Sequence, residues 1–178
     1  EQKVNSGKTI TVNYTAVLNS EAAVEKDNTN SAKVIYSNDP TTDKKGETDE
    51  VVVHVYTYAV ELTKKNSKGD VLSEVEFILK LGNGKYATFD QDGVFTGTVE
   101  NKDDDTILKT NSEGKIAISG LEAGEYELIE TKTLDEYNLP NFGFSFRISQ
   151  VLNSDGTLKT ASFDYTADEE IKEAAGYI

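Results

Sequence analysis

The chain has no cysteine, no methionine and no tryptophan, and only one histidine and two prolines in 178 residues. Without cysteine there is no disulfide framework, no thiol nucleophile and no zinc site built on thiolates. The single histidine, His54, also rules out metal centres assembled from several imidazoles, and no metal or cofactor is expected. Cations are scarce: 18 Lys+Arg against 32 Asp+Glu leave a net charge of −14. That deficit argues against nucleic acid and anionic membranes as partners, because phosphate binding needs basic patches. No apolar run approaches the length of a membrane span, and no signal peptide opens the chain, so an exported protein would be seen here as a mature fragment. The acidic composition fits a soluble extracellular or surface protein. Such a protein, lacking disulfides, must take its rigidity from another source.

Hydrophobic residues make up 37% of the chain and aromatics 9%, enough for a folded β-rich protein and too much for disorder. Residues 8–19 alternate, with Ile10, Val12, Tyr14, Ala16 and Leu18 on one face. A second strand is expected over Asn30–Ser37, a loop over Asn38–Gly46, and a third strand over Glu50–Tyr58, β-branched and aromatic on both faces and so covered on both. Three strands in this space make a poor core of their own. Residues 1–57 therefore read as the C-terminal part of a preceding domain, and 58–178 as a second domain. In the second part Val60, Leu62 and Lys64 are in phase, and Val75, Phe77 and Leu79 mark the next strand. Glycine- and Asn/Asp-rich turns then separate strands at 85–90, 94–99, 106–109, 115–118, 124–131, 142–151 and 157–165. Thr166–Gly176 has capping-box spacing and a terminal glycine, which predicts one short helix. Strands at this spacing spell an all-β fold of Greek-key sandwiches.

Two residues break the pattern. In Gly124–Thr131 the residues Tyr126, Leu128 and Glu130 share the core face, which aims a carboxylate inward or at the core's edge. On pattern alone Glu130 either reaches water at the strand end or acts as the acid/base of a site. Lys64 is the second oddity, and on pattern alone it either snorkels to the edge or enters the same site. Brought together and desolvated, an amine and a carboxyl both favour their neutral forms; the amine is then a nucleophile and the acid can polarise an amide carbonyl. With an Asn or Asp in reach, the product is a side-chain amide cross-link, formed once per molecule. His54, alone in a strand, reads as a structural residue. The acidic run Asp103–Asp105 lacks the spaced ligands of a calcium loop and reads as solvated. No triad, metal set or phosphate loop supports an enzyme.

The residues Val60-Glu61-Leu62-Thr63-Lys64, Gly69, Leu72 and Glu76-Phe77-Ile78-Leu79 resemble the opening of a collagen-adhesin B-type domain. Gly120-Leu121, Gly124-Glu125-Tyr126-Glu127-Leu128-Ile129-Glu130-Thr131 and Tyr137-Asn138-Leu139-Pro140 resemble the E-box of the major pilins of Gram-positive sortase-assembled pili. The first segment resembles the end of a preceding pilin domain, through Ile10–Ala16, Asn30–Pro40 and Val55-Tyr56. The resemblance implies tandem immunoglobulin-like sandwiches. It makes Lys64 the nucleophile and Glu130 the acid/base of an intramolecular isopeptide bond, and Asn30 the acceptor of the preceding domain. It further implies a structural shaft subunit, joined covalently to other pilin subunits by a sortase, on a cell-wall-anchored extracellular pilus with room for a host surface ligand. A ligand-binding adhesin module on the same scaffold is the alternative. The chain departs from the family at Leu134-Asp135-Glu136, where a proline and a glycine are usual. The acceptor for Lys64 and the lysine for Asn30 are expected outside residues 1–178, with Asn153 or Asp164 as the alternative acceptor within them.

Overall fold

A computed structural model describes residues 26–37 and 41–165, with Thr11, Asn13, Ala22 and Val24 as isolated positions. The helix expected over 166–176, and all but Thr11 and Asn13 of the strand expected over 8–19, lie outside the described residues. In chain order the strands are β1 (Asn28–Ala32), β2 (Ile35–Ser37), β3 (Lys45–Glu47), β4 (Val51–Val55), β5 (Tyr58–Thr63), β6 (Glu76–Leu81), β7 (Tyr86–Phe89), β8 (Phe95–Val99), β9 (Leu108–Lys109), β10 (Lys115–Leu121), β11 (Gly124–Lys132), β12 (Phe144–Leu152) and β13 (Leu158–Tyr165). The only helical turn among the described residues is a 3-10 turn at Asp104–Thr106.

The larger sheet has the order β13-β12-β11-β6-β7-β8, with β9 also paired to β6. Across it lies the antiparallel pair β5–β10, in the register Lys115↔Thr63, Ile116↔Leu62 and Ile118↔Val60. Period-two alternation explains the packing: on β11, Tyr126, Leu128 and Glu130 are buried, while Glu125 and Lys132 are exposed. Their ladder partners on β6, Leu81, Leu79 and Phe77, share that face. The core between the two layers includes Tyr58, Val75, Phe77, Leu79, Ile116, Ile118, Leu121, Leu128 and Phe146. One corner is closed by the Val94↔Ser119 bridge and by the Ser119 N–H donating to the Gly93 carbonyl at 3.1 Å.

The first segment differs from expectation. The predicted strand at 30–37 is two strands: β1 pairs with β4, and β2 pairs with β3. The predicted loop to Gly46 is shortened by β3, which opens at Lys45. The third strand was expected to be covered on both faces, yet Val51, Val52 and Val53 are 66%, 42% and 53% exposed. The reason is local: β4 belongs to a two-stranded ribbon, and a β-branched run shows strand preference without supplying the layer that would cover it.

Candidate functional site

Lys64 follows directly on β5, in phase with Tyr58, Val60 and Leu62. Both of its peptide groups are held: its N–H donates to the Gly114 carbonyl at 2.8 Å, and its carbonyl accepts from the Leu72 N–H at 2.9 Å. Gly114 is required there, because its φ is +71° and an added Cβ would lie 2.9 Å from both the Lys64 carbonyl oxygen and the Val71 Cβ. The Asn111–Gly114 turn thus forms a floor under the lysine backbone and sends its side chain between the layers.

Glu130 sits opposite Phe77, and a register shift follows between Glu130 and Lys132. The bulge ends the regular ladder just past the carboxylate. Lys64 Nζ donates to Glu130 Oε2 at 2.7 Å, with side-chain exposures of 22% and 5%. Of the two readings the pattern left open for Glu130, the carboxylate lies inside rather than in water. Its other oxygen, Oε1, is buried and has no hydrogen-bond partner, and the same holds for Thr133 Oγ1 three residues on. A buried polar atom left unmatched costs about 1–3 kcal/mol, so this corner has unmet hydrogen-bonding capacity. Moving one proton from Nζ to Oε2 converts an ion pair into a neutral amine beside a neutral acid.

The remaining candidates lie elsewhere. Asn30 is on β1 opposite Val53, in a sheet separate from that of Glu130. Asp164 pairs with Arg147, which itself pairs with Glu125, and this row is on the outer face of the larger sheet, opposite to Glu130. Asn153 lies past the far end of β12; with Leu128 paired to Phe144 and Gly124 to Ile148, that is roughly 35 Å along the sheet from Glu130 at ~3.3 Å per residue. Neither Asp164 nor Asn153 reaches the Lys64–Glu130 pair. His54 contacts Asp27, its Nδ1 lying 2.6 Å from Oδ2. Sequence reasoning missed the roles of Gly114, Leu72 and Thr133. The turn signal at Asn111–Gly114 was legible, but what it packs against was not.

Residues 58–165 match the family described as SpaA, prealbumin-like fold domain. The chain belongs to this family. The matched region runs from the first residue of β5 to the last of β13 and so contains both Lys64 and Glu130. No curated protein matches the chain. Among solved structures, this SpaA-type chain is similar to the 35 kDa C-terminal fragment of the major pilin GBS80 of Streptococcus agalactiae, at 22% identity and TM-score 0.54, over 71% of this chain and 47% of that one. It is also similar to a group B streptococcus pilus 2b backbone protein, at 24% identity and TM-score 0.47, over 65% and 42%. A third is the pilus backbone RrgB of Streptococcus pneumoniae, at 21% identity and TM-score 0.45, over 54% and 35%. The chain thus spans less than half the length of these structures, and at such identities the likeness to the first is one of fold.

Proposed function

We propose that this chain is part of a structural shaft subunit of a covalently assembled bacterial surface pilus, stiffened by an intramolecular isopeptide bond at Lys64. The observation that carries the reading is the buried Glu130 carboxyl, 2.7 Å from Lys64 Nζ through one oxygen and unmatched at the other. In the reaction, neutral Nζ attacks the side-chain carbonyl carbon of an Asn or Asp. Glu130 holds that carbonyl by a hydrogen bond and passes a proton from the amine to the leaving group; the C–N bond forms and ammonia or water departs. The fixed Lys64 backbone and the closed layers supply orientation, so one turnover needs no enzyme. Glu130 Oε1 marks where the acceptor amide would sit.

Residues 58–178 form the E-box domain in this reading. Residues 1–57 end a preceding pilin sandwich whose acceptor is Asn30. The valines exposed on both faces of β4 support that division, since a two-stranded ribbon is marginal alone and a neighbouring layer would cover them. The subunit's partners are further pilin subunits, joined by a sortase into a cell-wall-anchored extracellular fibre. An adhesin would call for an apolar groove. The groove over β6, β11 and β12 mixes Lys80, Glu125, Glu127, Arg147 and Asp164 with Leu81, Tyr126, Phe146 and Tyr165, and its charges pair across strands as Lys80–Glu127 and Arg147–Glu125; a mixed, charge-paired groove favours the shaft.

Intact mass and peptide mapping of the mature subunit test the chemistry. A Lys–Asn bond lowers the mass by about 17 Da, the ammonia lost in the condensation. Lys64 should appear in a branched peptide, and Glu130→Ala should abolish the branch while the β-sheet signal persists. Recovery of unmodified Lys64 from a folded, full-length subunit would sink the cross-link.

A further inference from the structure

Residues 51–63 are extended almost without interruption, β4 passing through Tyr56 and Thr57 into β5. With period two, His54, Tyr56 and Tyr58 point the same way. All three meet the β12–β13 hairpin. The Tyr58 hydroxyl donates to Gln150 Oε1 at 2.8 Å, and the Tyr56 hydroxyl accepts the Leu158 N–H at 2.8 Å. His54 lies against the hairpin tip, where a Cβ on Gly156 would come within 3.2 Å of its Cδ2. From the other side Asp27 holds the imidazole, with Oδ2 2.6 Å from Nδ1. Tyr56 and Tyr58 are 8% and 3% exposed, so these contacts are shielded from water.

The tip is braced before it meets its partner. The Asn153 N–H donates to the Thr157 carbonyl at 2.8 Å, the Gly156 N–H to the Asn153 carbonyl at 3.0 Å, and the Thr157 hydroxyl to Asp155 Oδ1 at 2.6 Å. Gly156 combines φ of +87° with a tight approach on its His54 side, where an added Cβ would lie 3.2 Å from Cδ2. We infer that the β12–β13 hairpin is a docking surface for the strand leaving residues 26–57, clamping that segment and the sandwich into one rigid unit. A β-ribbon as small as β1–β4 cannot fix its own orientation, and segments joined by a chain alone move relative to one another by default. Two side chains of the segment, His54 and Tyr56, meet the hairpin at separate points along one strand that Tyr58 continues into the sandwich, and together they resist both bending and rotation. This inference is independent of the cross-link, because none of its contacts involves Lys64 or Glu130.

The absence of cysteine makes the test clean, since spin labels attach only where thiols are introduced. Glu47→Cys with Glu100→Cys spans the two parts at exposed positions, and Glu125→Cys with Glu100→Cys is a control inside the sandwich. Double electron–electron resonance should give one narrow distance for each pair in the otherwise native chain. Adding His54→Ala and Tyr56→Phe together should broaden the first distribution and leave the control narrow. If that double change disturbs the control, Gly156→Asn decides: asparagine tolerates the backbone angle but pushes the tip off His54, and should broaden the first pair alone. A broad first distance in the native chain, or one that stays narrow when the control shows the variant sandwich intact, overturns the clamp.

Discussion

Tyr126 brings a hydroxyl into the core and satisfies it locally, donating to the Glu122 carbonyl at 2.8 Å while its ring stacks on Phe146 at 5.2 Å. Burial, aided by the Glu122 carboxylate, pushes its phenol up to about 12. A folded value above the unfolded one, about 10, means a contribution to stability that is complete below pH 10 and is lost as pH rises through about 12. An alkaline titration followed by phenolate absorbance should therefore show a late step that Tyr126→Phe removes. The same change should cost about 0.5–1.5 kcal/mol in urea unfolding at neutral pH. An unaltered titration in the variant would remove this assignment. At this scale Lys64 and Glu130 were legible because each interrupts an apolar phase. Their meeting was expected from the family resemblance and not from the local pattern, since the strands that carry them lie in different layers and alternation encodes no such distance.

At the scale of elements, the glycines at turns divide by what surrounds them. Gly93, between β7 and β8, has φ of +78°, and a Cβ there would lie 2.2 Å from the Ala117 carbonyl oxygen on β10. Gly84, between β6 and β7, has a similar φ of +86° with nothing within 4 Å. Gly84→Ala should cost only the backbone term, about 1 kcal/mol, whereas Gly93→Ala should cost clearly more because it prises the two layers apart at their closed corner. Thermal unfolding of the two variants side by side checks the order; equal losses would show that the corner yields.

The β12–β13 turn makes a pH prediction. The Thr157 hydroxyl, then the Thr157 amide, hold the Asp155 carboxyl below its ordinary value. A depressed folded value stabilises above the ordinary carboxylate range and is lost as pH falls through the depressed one. In an NMR titration Thr157→Val should move Asp155 part of the way back toward the ordinary value, because the Thr157 amide still donates to it, and reduce this turn's share of acid sensitivity. The turns themselves were legible, because Asn, Asp and Gly have local reasons to bend a chain. The covering of β4 was not, because β-branched residues look the same whether or not a second layer lies over them.

For the whole molecule, the net charge of −14 is a self-repulsion that salt screens. The urea midpoint should rise between low ionic strength and about 0.15 M salt, where the screening length is about 8 Å. A midpoint that falls would mean the cross-strand ion pairs outweigh the net repulsion. Composition and period settled the class: an acidic, disulfide-free, all-β chain with one amine and one acid out of place on core faces. Those properties are local, carried by residue type and by alternation every second position. The resemblance paired Lys64 with Glu130, but tertiary structure alone decided their 2.7 Å approach, that Asp164 faces the opposite side of the sheet, and that His54 rests on a hairpin far along the chain. Each of these depends on strand order and layer packing, which arise from burying many side chains together and leave no mark on any short stretch of sequence.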